Sequence, residues 1–188
     1  GLVDGVGSAY GNAGIGVDVG AFSRDGTAVA VATGTISANN NTNHGLRVIA
    51  GTDAGTQIAA VNGSVYASNN GGSGVWIGAE GGNSGGDGLT MAVLGGQVTA
   101  NNNGDYGVRM YADSDSSGDA LALVPGTVTA NGNADDGLFV SAHGGDQGEG
   151  GNALVAVTGT ITANNNASDG INILASAPGM GSALALAD

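Results

Sequence analysis

The stretch "DSDSSGD" places Asp113, Asp115 and Asp119 beside Ser117 and Gly118. Carboxylates and a hydroxyl on a glycine-containing segment make an oxygen-rich, adaptable set of the kind Ca²⁺ takes. Carboxylates within a screening length of about 8 Å repel one another, and a bound cation relieves that repulsion. Ca²⁺ held by Asp113, Asp115 and Asp119 is therefore the expected cofactor. A second group is scattered along the chain: Arg47, Trp76, Arg109, Tyr111 and Phe139. Aromatic faces with arginine on one flat strip can hold a sugar ring or an acidic partner. Catalysis is poorly served. The only adjacent acid pair is Asp135 with Asp136, and His44 and His143 lie far apart in sequence. Hydrolytic acid/base work needs two groups converging at roughly 5 to 9.5 Å, and no specific pair stands out. No catalytic residue is expected.

Scattered residues meet only if the chain returns on itself at a fixed interval. It does so. The glycine that opens each "GT(V/I)(T/S)A" word falls at Gly34, Gly63, Gly96, Gly126 and Gly159, with a degenerate copy at Gly5. The successive spacings are 29, 29, 33, 30 and 33 residues, and the extra residues fall in one Gly/Asp/Ser segment of each unit. A fixed frame with one variable loop is the mark of a solenoid.

Each unit reads as three short strands. In the first, Ile36, Val65, Val98, Val128 and Ile161 alternate with polar neighbours, the period of a half-buried strand. In the second ("LRVIA", "VWIGA", "VRMYA", "LFVSA", "INILA") the first, third and fifth side chains are apolar and face inward, leaving Arg47, Trp76, Arg109, Phe139 and Asn172 stacked outside. A loop leads to the third, "AVAVA" to "ALALA". There Val29, Ile58, Met91, Leu121, Leu154 and Leu184 are expected inside. Ala30, Ala59, Ala92, Ala122 and Val155, with Val61, Leu94, Val124 and Val157, are expected outside as a lateral packing face. Both faces of that strand are apolar, and an exposed apolar strip of this length should be covered by another molecule.

Between the first and second strands stands the recurrent "ANNN". Asn tolerates the left-handed backbone and bonds locally to main chain, and the amide one turn away is its match. Asn40, Asn69, Asn102 and Asn165 are the expected structural ladder, flanked by columns through Asn39 and Asn41. These coils resemble the right-handed parallel β-helix repeats of the pectate-lyase-like superfamily, whose members include polysaccharide lyases and hydrolases and bacterial adhesin-type surface proteins. The resemblance implies an all-β, right-handed single-stranded parallel β-helix, three short strands per coil and about six coils, and an extracellular or cell-surface location. It implies no activity, because the lyases use a basic residue beside a Ca²⁺ site and this chain has no lysine and no "RIK". "DSDSSGD" itself resembles the first half of an EF-hand loop without the glutamate at the twelfth position.

Composition limits the partners. Three arginines face 16 acidic residues, a formal charge of −13, so nucleic acid is not an expected partner. No apolar run approaches the roughly 20 residues needed to span a bilayer, so membrane insertion is not expected. With no cysteine there is no disulfide scaffold. Residues 1–188 are expected to form one β-helix domain that begins and ends at the same phase of the coil, a segment of a longer solenoid or an end-to-end stacking unit. The expected function is a structural or adhesive extracellular β-helix that assembles with copies of itself through coil ends and an apolar lateral face. The alternative is a polysaccharide-binding or polysaccharide-cleaving β-helix.

Overall fold

The computed structural model describes residues 1–81, 88–114, 117–145 and 150–188. The chain is an all-β parallel solenoid of about six turns. The first strands of the turns, Val6–Tyr10, Thr35–Asn39, Ser64–Tyr66, Gln97–Thr99, Thr127–Thr129 and Ile161–Thr162, pair in order as a six-stranded parallel sheet. The second and third strands make the larger parallel sheet. In the later turns they are separate, as Val75–Gly81 and Thr90–Leu94, Val108–Ser114 and Ala120–Val124, Leu138–Gly144 and Ala153–Val157, and Ile171–Ser176 and Ala183–Ala187. In the first two turns they are continuous, as Val17–Ala32 and Leu46–Val61. The loop expected there is therefore absent. Ser23 pairs with Thr52 and Asp25 with Ala54, and the corner is turned inside the strand by Gly26 and Gly55 at φ 104° and 124°. Among the described residues no helix is long and apolar enough to cross a membrane.

The core follows from two alternating strands facing one another. Ile36, Val65, Val98 and Val128 are at most 2% exposed and sit in one register across the first sheet. Leu46, Val48 and Ala50 face inward from the second strand and pair with Val75, Ile77 and Ala79 on the next turn. The same rows continue through Val108, Met110 and Ala112 to Leu138, Val140 and Ala142. Each turn thus buries its apolar side chains on the copies before and after it, which is why a single turn has no stability of its own.

The third strand is turned over relative to the sequence expectation. Ala30, Ala59, Ala92, Ala122 and Val155 are 0% exposed, and Val61, Leu94, Val124 and Val157 are at most 3% exposed, so all nine belong to the core rather than to a lateral face. The residues expected inside point out. Val29 and Leu184 are 40% and 51% exposed, and Ile58, Met91, Leu121 and Leu154 are half-buried. In the first two turns the cause is the corner. Inward positions are odd-numbered up to Val19 and even-numbered from Ala28 in the first turn, and they change from even (Leu46, Val48, Ala50) to odd (Ala59, Val61) in the second. In both turns the left-handed glycine lies where the parity changes. Ala in the first inward column and Val or Leu in the second then fill the core in most turns, and a second set of aliphatic side chains is left outside.

The asparagines divide their labour differently from the expected ladder. Asn40, Asn69, Asn102 and Asn165 have φ between 55° and 59°, with Gly132 at 67° in the same column, so they make the bend and are exposed. The amide ladder runs one residue later. Asn41 Nδ2 donates to Asn70 Oδ1 at 3.0 Å, Asn70 to Asn103 at 3.1 Å, Asn103 to Asn133 at 3.0 Å and Asn133 to Asn166 at 3.0 Å. Each of these oxygens also accepts the backbone N–H of the preceding asparagine in the ladder, at 2.9 to 3.0 Å. A buried amide oxygen with two donors is a satisfied one. A counter-running column uses Asn39, Asn101 and Asn131, whose side-chain oxygens accept the N–H of Ser68, Asn131 and Asn164.

Candidate ligand-binding surface

The second strand presents its outward residues in two columns. Arg47, Trp76, Arg109, Phe139 and Asn172 form the first, each paired with the same position on the next turn. Ile49, Gly78, Tyr111, Ser141 and Leu174 form the second. All five residues expected to make a binding surface are thus on one strip. Their chemical states differ. Arg47 is engaged with Asp18 one turn away, Nε to Oδ1 at 2.9 Å and Nη2 to Oδ2 at 2.6 Å. Both partners are more than a third exposed, so this pair is worth well under about 1 kcal/mol and serves to cancel charge at that end of the strip.

Arg109 has a different setting. Its guanidinium carbon lies 5.3 Å from the Trp76 ring centre, 5.6 Å from Tyr106 and 5.8 Å from Tyr111. Such placement favours a cation by about 0.5 to 2 kcal/mol per good contact. Among the described residues no carboxylate lies within ion-pair distance of it, and its Nε is buried without a hydrogen-bond partner. The box is braced by further rings. His44 meets Trp76 edge-on at 4.6 Å, and Tyr106 lies 5.5 Å from Phe139. His44 Nδ1 accepts the N–H of Ser73 at 3.0 Å, and burial lowers the pKa of the ring, which favours neutral imidazole.

Gly78 makes room for this arrangement. A Cβ there would stand 2.6 Å from Tyr111 Cζ and 2.8 Å from Ile49 Cδ1, so only glycine lets the phenol ring lie against the sheet. The Tyr111 hydroxyl donates to Glu80, and burial followed by that carboxylate pushes its pKa well above the ordinary phenol range. The Trp76 indole N–H lies near enough to oppose that shift yet has no acceptor in hydrogen-bond geometry among the described residues. Beside Arg109 and Tyr111 runs an open groove of about 380 Å³, lined also by Glu80, Ala112, Asp113, Phe139, Ser141 and His143. Aromatic walls, a guanidinium, a hydroxyl and carboxylates in one groove match the inventory that sugar hydroxyls require.

His44, Glu80 and Tyr106 were not expected at this surface. Glu80 was legible in principle, because it occupies the position after "VWIGA" that carries Asp113 and His143 on the following turns. Tyr106 and His44 sit in the bend, where alternation gives no direction.

Two of the three residues expected to hold Ca²⁺ are described. Asp115 lies outside the described residues. Asp113 points out from the second strand in register with Glu80 and His143, while Asp119 precedes the third strand and accepts from Asn152 N and Nδ2 at 2.8 and 2.9 Å. Among the described residues no group of three or more His, Asp and Glu side chains is placed to hold a metal ion. Compared with known proteins, the chain matches no family model, no curated protein and no solved structure.

Proposed function

We propose that the chain is a structural component of an extracellular fibre or surface layer, in the manner of the adhesin-type β-helices it resembles, and that copies associate through the outward face of the third strands. One observation carries this reading: six turns present two aliphatic side chains each, from Val29 and Val31 to Leu184 and Leu186, in unbroken register and with no charge among them. A continuous apolar patch of this kind on an otherwise strongly acidic protein is an association surface. Along the axis, assembly uses the same parallel ladder that joins turn to turn. Changing Met91 and Leu121 to Glu, both half-buried and outward, is expected to leave the circular dichroism unchanged and to shift sedimentation from dimer or larger species to monomer. Sedimentation identical to the parent chain would remove the lateral face from the proposal.

A second reading, carbohydrate binding, is favoured by the ring-boxed Arg109 and the adjoining groove. Trp76 is the sole tryptophan, so its fluorescence reports on this strip alone. Titration with uncharged and uronic polysaccharides is expected to change its intensity or emission maximum, and Arg109→Ala to weaken the response roughly tenfold, about 1.4 kcal/mol. An emission spectrum indifferent to every glycan tested would count against this reading.

A further inference from the structure

The outward face of the third strands specifies how two copies meet. We propose that they pack side by side as a two-fold dimer whose axis runs parallel to the solenoid axis, turn facing like turn. This rests on the lateral association proposed above and adds its geometry.

The strip has two columns. Ile58 stands beside Ala60 on the second turn and Leu154 beside Ala156 on the fifth, each large residue in the first column and each small one in the second. A two-fold axis along the solenoid exchanges the columns at each level. Ile58 then faces the Ala60 of the other copy, Leu154 faces the other Ala156, and the remaining turns oppose aliphatic to aliphatic. Large meets small wherever the surface is uneven, as close packing demands.

The competing face-to-face arrangement has its two-fold axis along the strands. That operation keeps the columns and reverses the turns, so the second turn faces the fifth. Ile58 then meets Leu154, a pair as bulky as Leu121 against Leu123 in the axial arrangement, while Ala60 faces Ala156 across a void. Sheets held apart by the first pair lose their contacts at the second.

Charge and area agree with the axial two-fold. A chain of net charge −13 repels its copies, and this strip carries no charged side chain, so it is where approach costs least. Its rim is largely polar, with Thr27, Thr56, Asp119 and Asn152 on one side and Thr33, Asn62, Thr158 and Asp188 on the other, interrupted by Leu89, Gly95 and Pro125. Six strands about 4.8 Å apart and five residues of about 3.3 Å give a footprint of roughly 450 Å² per copy. Two such footprints total roughly 900 Å², below the roughly 1,200 Å² at which stable specific interfaces begin, so the dimer is weak and concentration-dependent. Strands of the two copies run antiparallel across the contact with their sheets aligned, a packing that faces of this kind adopt.

The chain contains no cysteine, which makes thiol reporters unambiguous. Ile58→Cys and Ala60→Cys chains, one tagged, are mixed at a concentration where sedimentation detects the dimer and treated with a short bifunctional thiol reagent. The expected product is the mixed Ile58→Cys/Ala60→Cys cross-link in excess over either homodimer cross-link, with the Ala60→Cys/Ala156→Cys mixture giving little. A dominant Ala60→Cys/Ala156→Cys product overturns the axial two-fold and leaves lateral association standing. A dimer that yields neither product also overturns it. Sedimentation as a monomer up to millimolar concentration removes the geometry and the reading beneath it together. As a second arm, Ala60→Ile is expected to weaken dimerisation roughly tenfold by overpacking, and adding Ile58→Ala to restore it. Failure of that rescue at unchanged secondary structure argues against large meeting small.

Discussion

Replacing Asn103 by Ala is expected to lower the unfolding free energy by about 3 kcal/mol, read as a lower midpoint in urea with an unchanged slope. The side-chain oxygen of Asn103 accepts both the backbone N–H and the Nδ2–H of Asn70, at 3.0 and 3.1 Å, in a site 2% exposed. Asn70 Nδ2 keeps its other acceptor, Ala38 O at 3.0 Å, but its backbone N–H is left buried and unpaired. Such an orphan costs about 1 to 3 kcal/mol, and the lost bond from Asn103 to Asn133 adds about 1 more. The control lies one residue away. Asn102→Gly is expected to change stability by less than about 0.5 kcal/mol, because Asn102 is exposed at φ 55° and Gly132 already fills the equivalent position. Equal losses at both positions would place the energy in the bend and not in the amides.

Gly96→Ala is the other change with a large expected effect, a loss of about 4 kcal/mol or more. A Cβ at Gly96 would stand 2.1 Å from the carbonyl oxygen and 2.6 Å from the nitrogen of Gly63, the opening glycine of the turn before. These are backbone atoms. They can yield only if the two turns part, and at that point Gln97 N donates to Gly63 O at 2.8 Å. Gly34, Gly63, Gly126 and Gly159 have the same approach to a neighbour's oxygen, at 1.7 to 2.2 Å, which accounts for glycine opening every unit. Gly95→Ala tests the cause, since a Cβ there meets only the Asn62 side chain, at 3.0 Å and beyond. It is expected to cost less than about 1 kcal/mol. Thermal unfolding that moves equally for both would mean that glycine is required here for chain flexibility and not for contact.

The fold was legible because its physical demands act on single positions. Alternation named the strands, the glycine spacing named the turn, and "ANNN" named the bend. The orientation of the third strand was not legible. Both of its faces are apolar, so period two says only that they differ, and the side chains that look most fit for a core, Ile58, Met91 and Leu121, are the outward ones. In the first two turns the direction is set at Gly26 and Gly55, where one left-handed residue exchanges the faces, and nothing in residue type reports a positive φ at a particular glycine among 39. The binding strip was found for the opposite reason. Its strand has one apolar and one mixed face, so Arg47, Trp76, Arg109, Tyr111 and Phe139 could only point out. What sequence missed there, Tyr106 and His44, enters from a bend, and the freedom of Arg109 against the engagement of Arg47 depends on Asp18 lying in register one turn away.

Each turn pairs only with the turns beside it, in registers offset by 29 to 33 residues. Copying or losing one whole unit would leave every seam between adjoining units matched, and would lengthen or shorten the aliphatic strip by one step of the ladder. On the lateral association proposed above, cohesion between copies scales with the number of units. Recombination between its repeated segments would change the solenoid in steps of one turn and leave the backbone ladder intact.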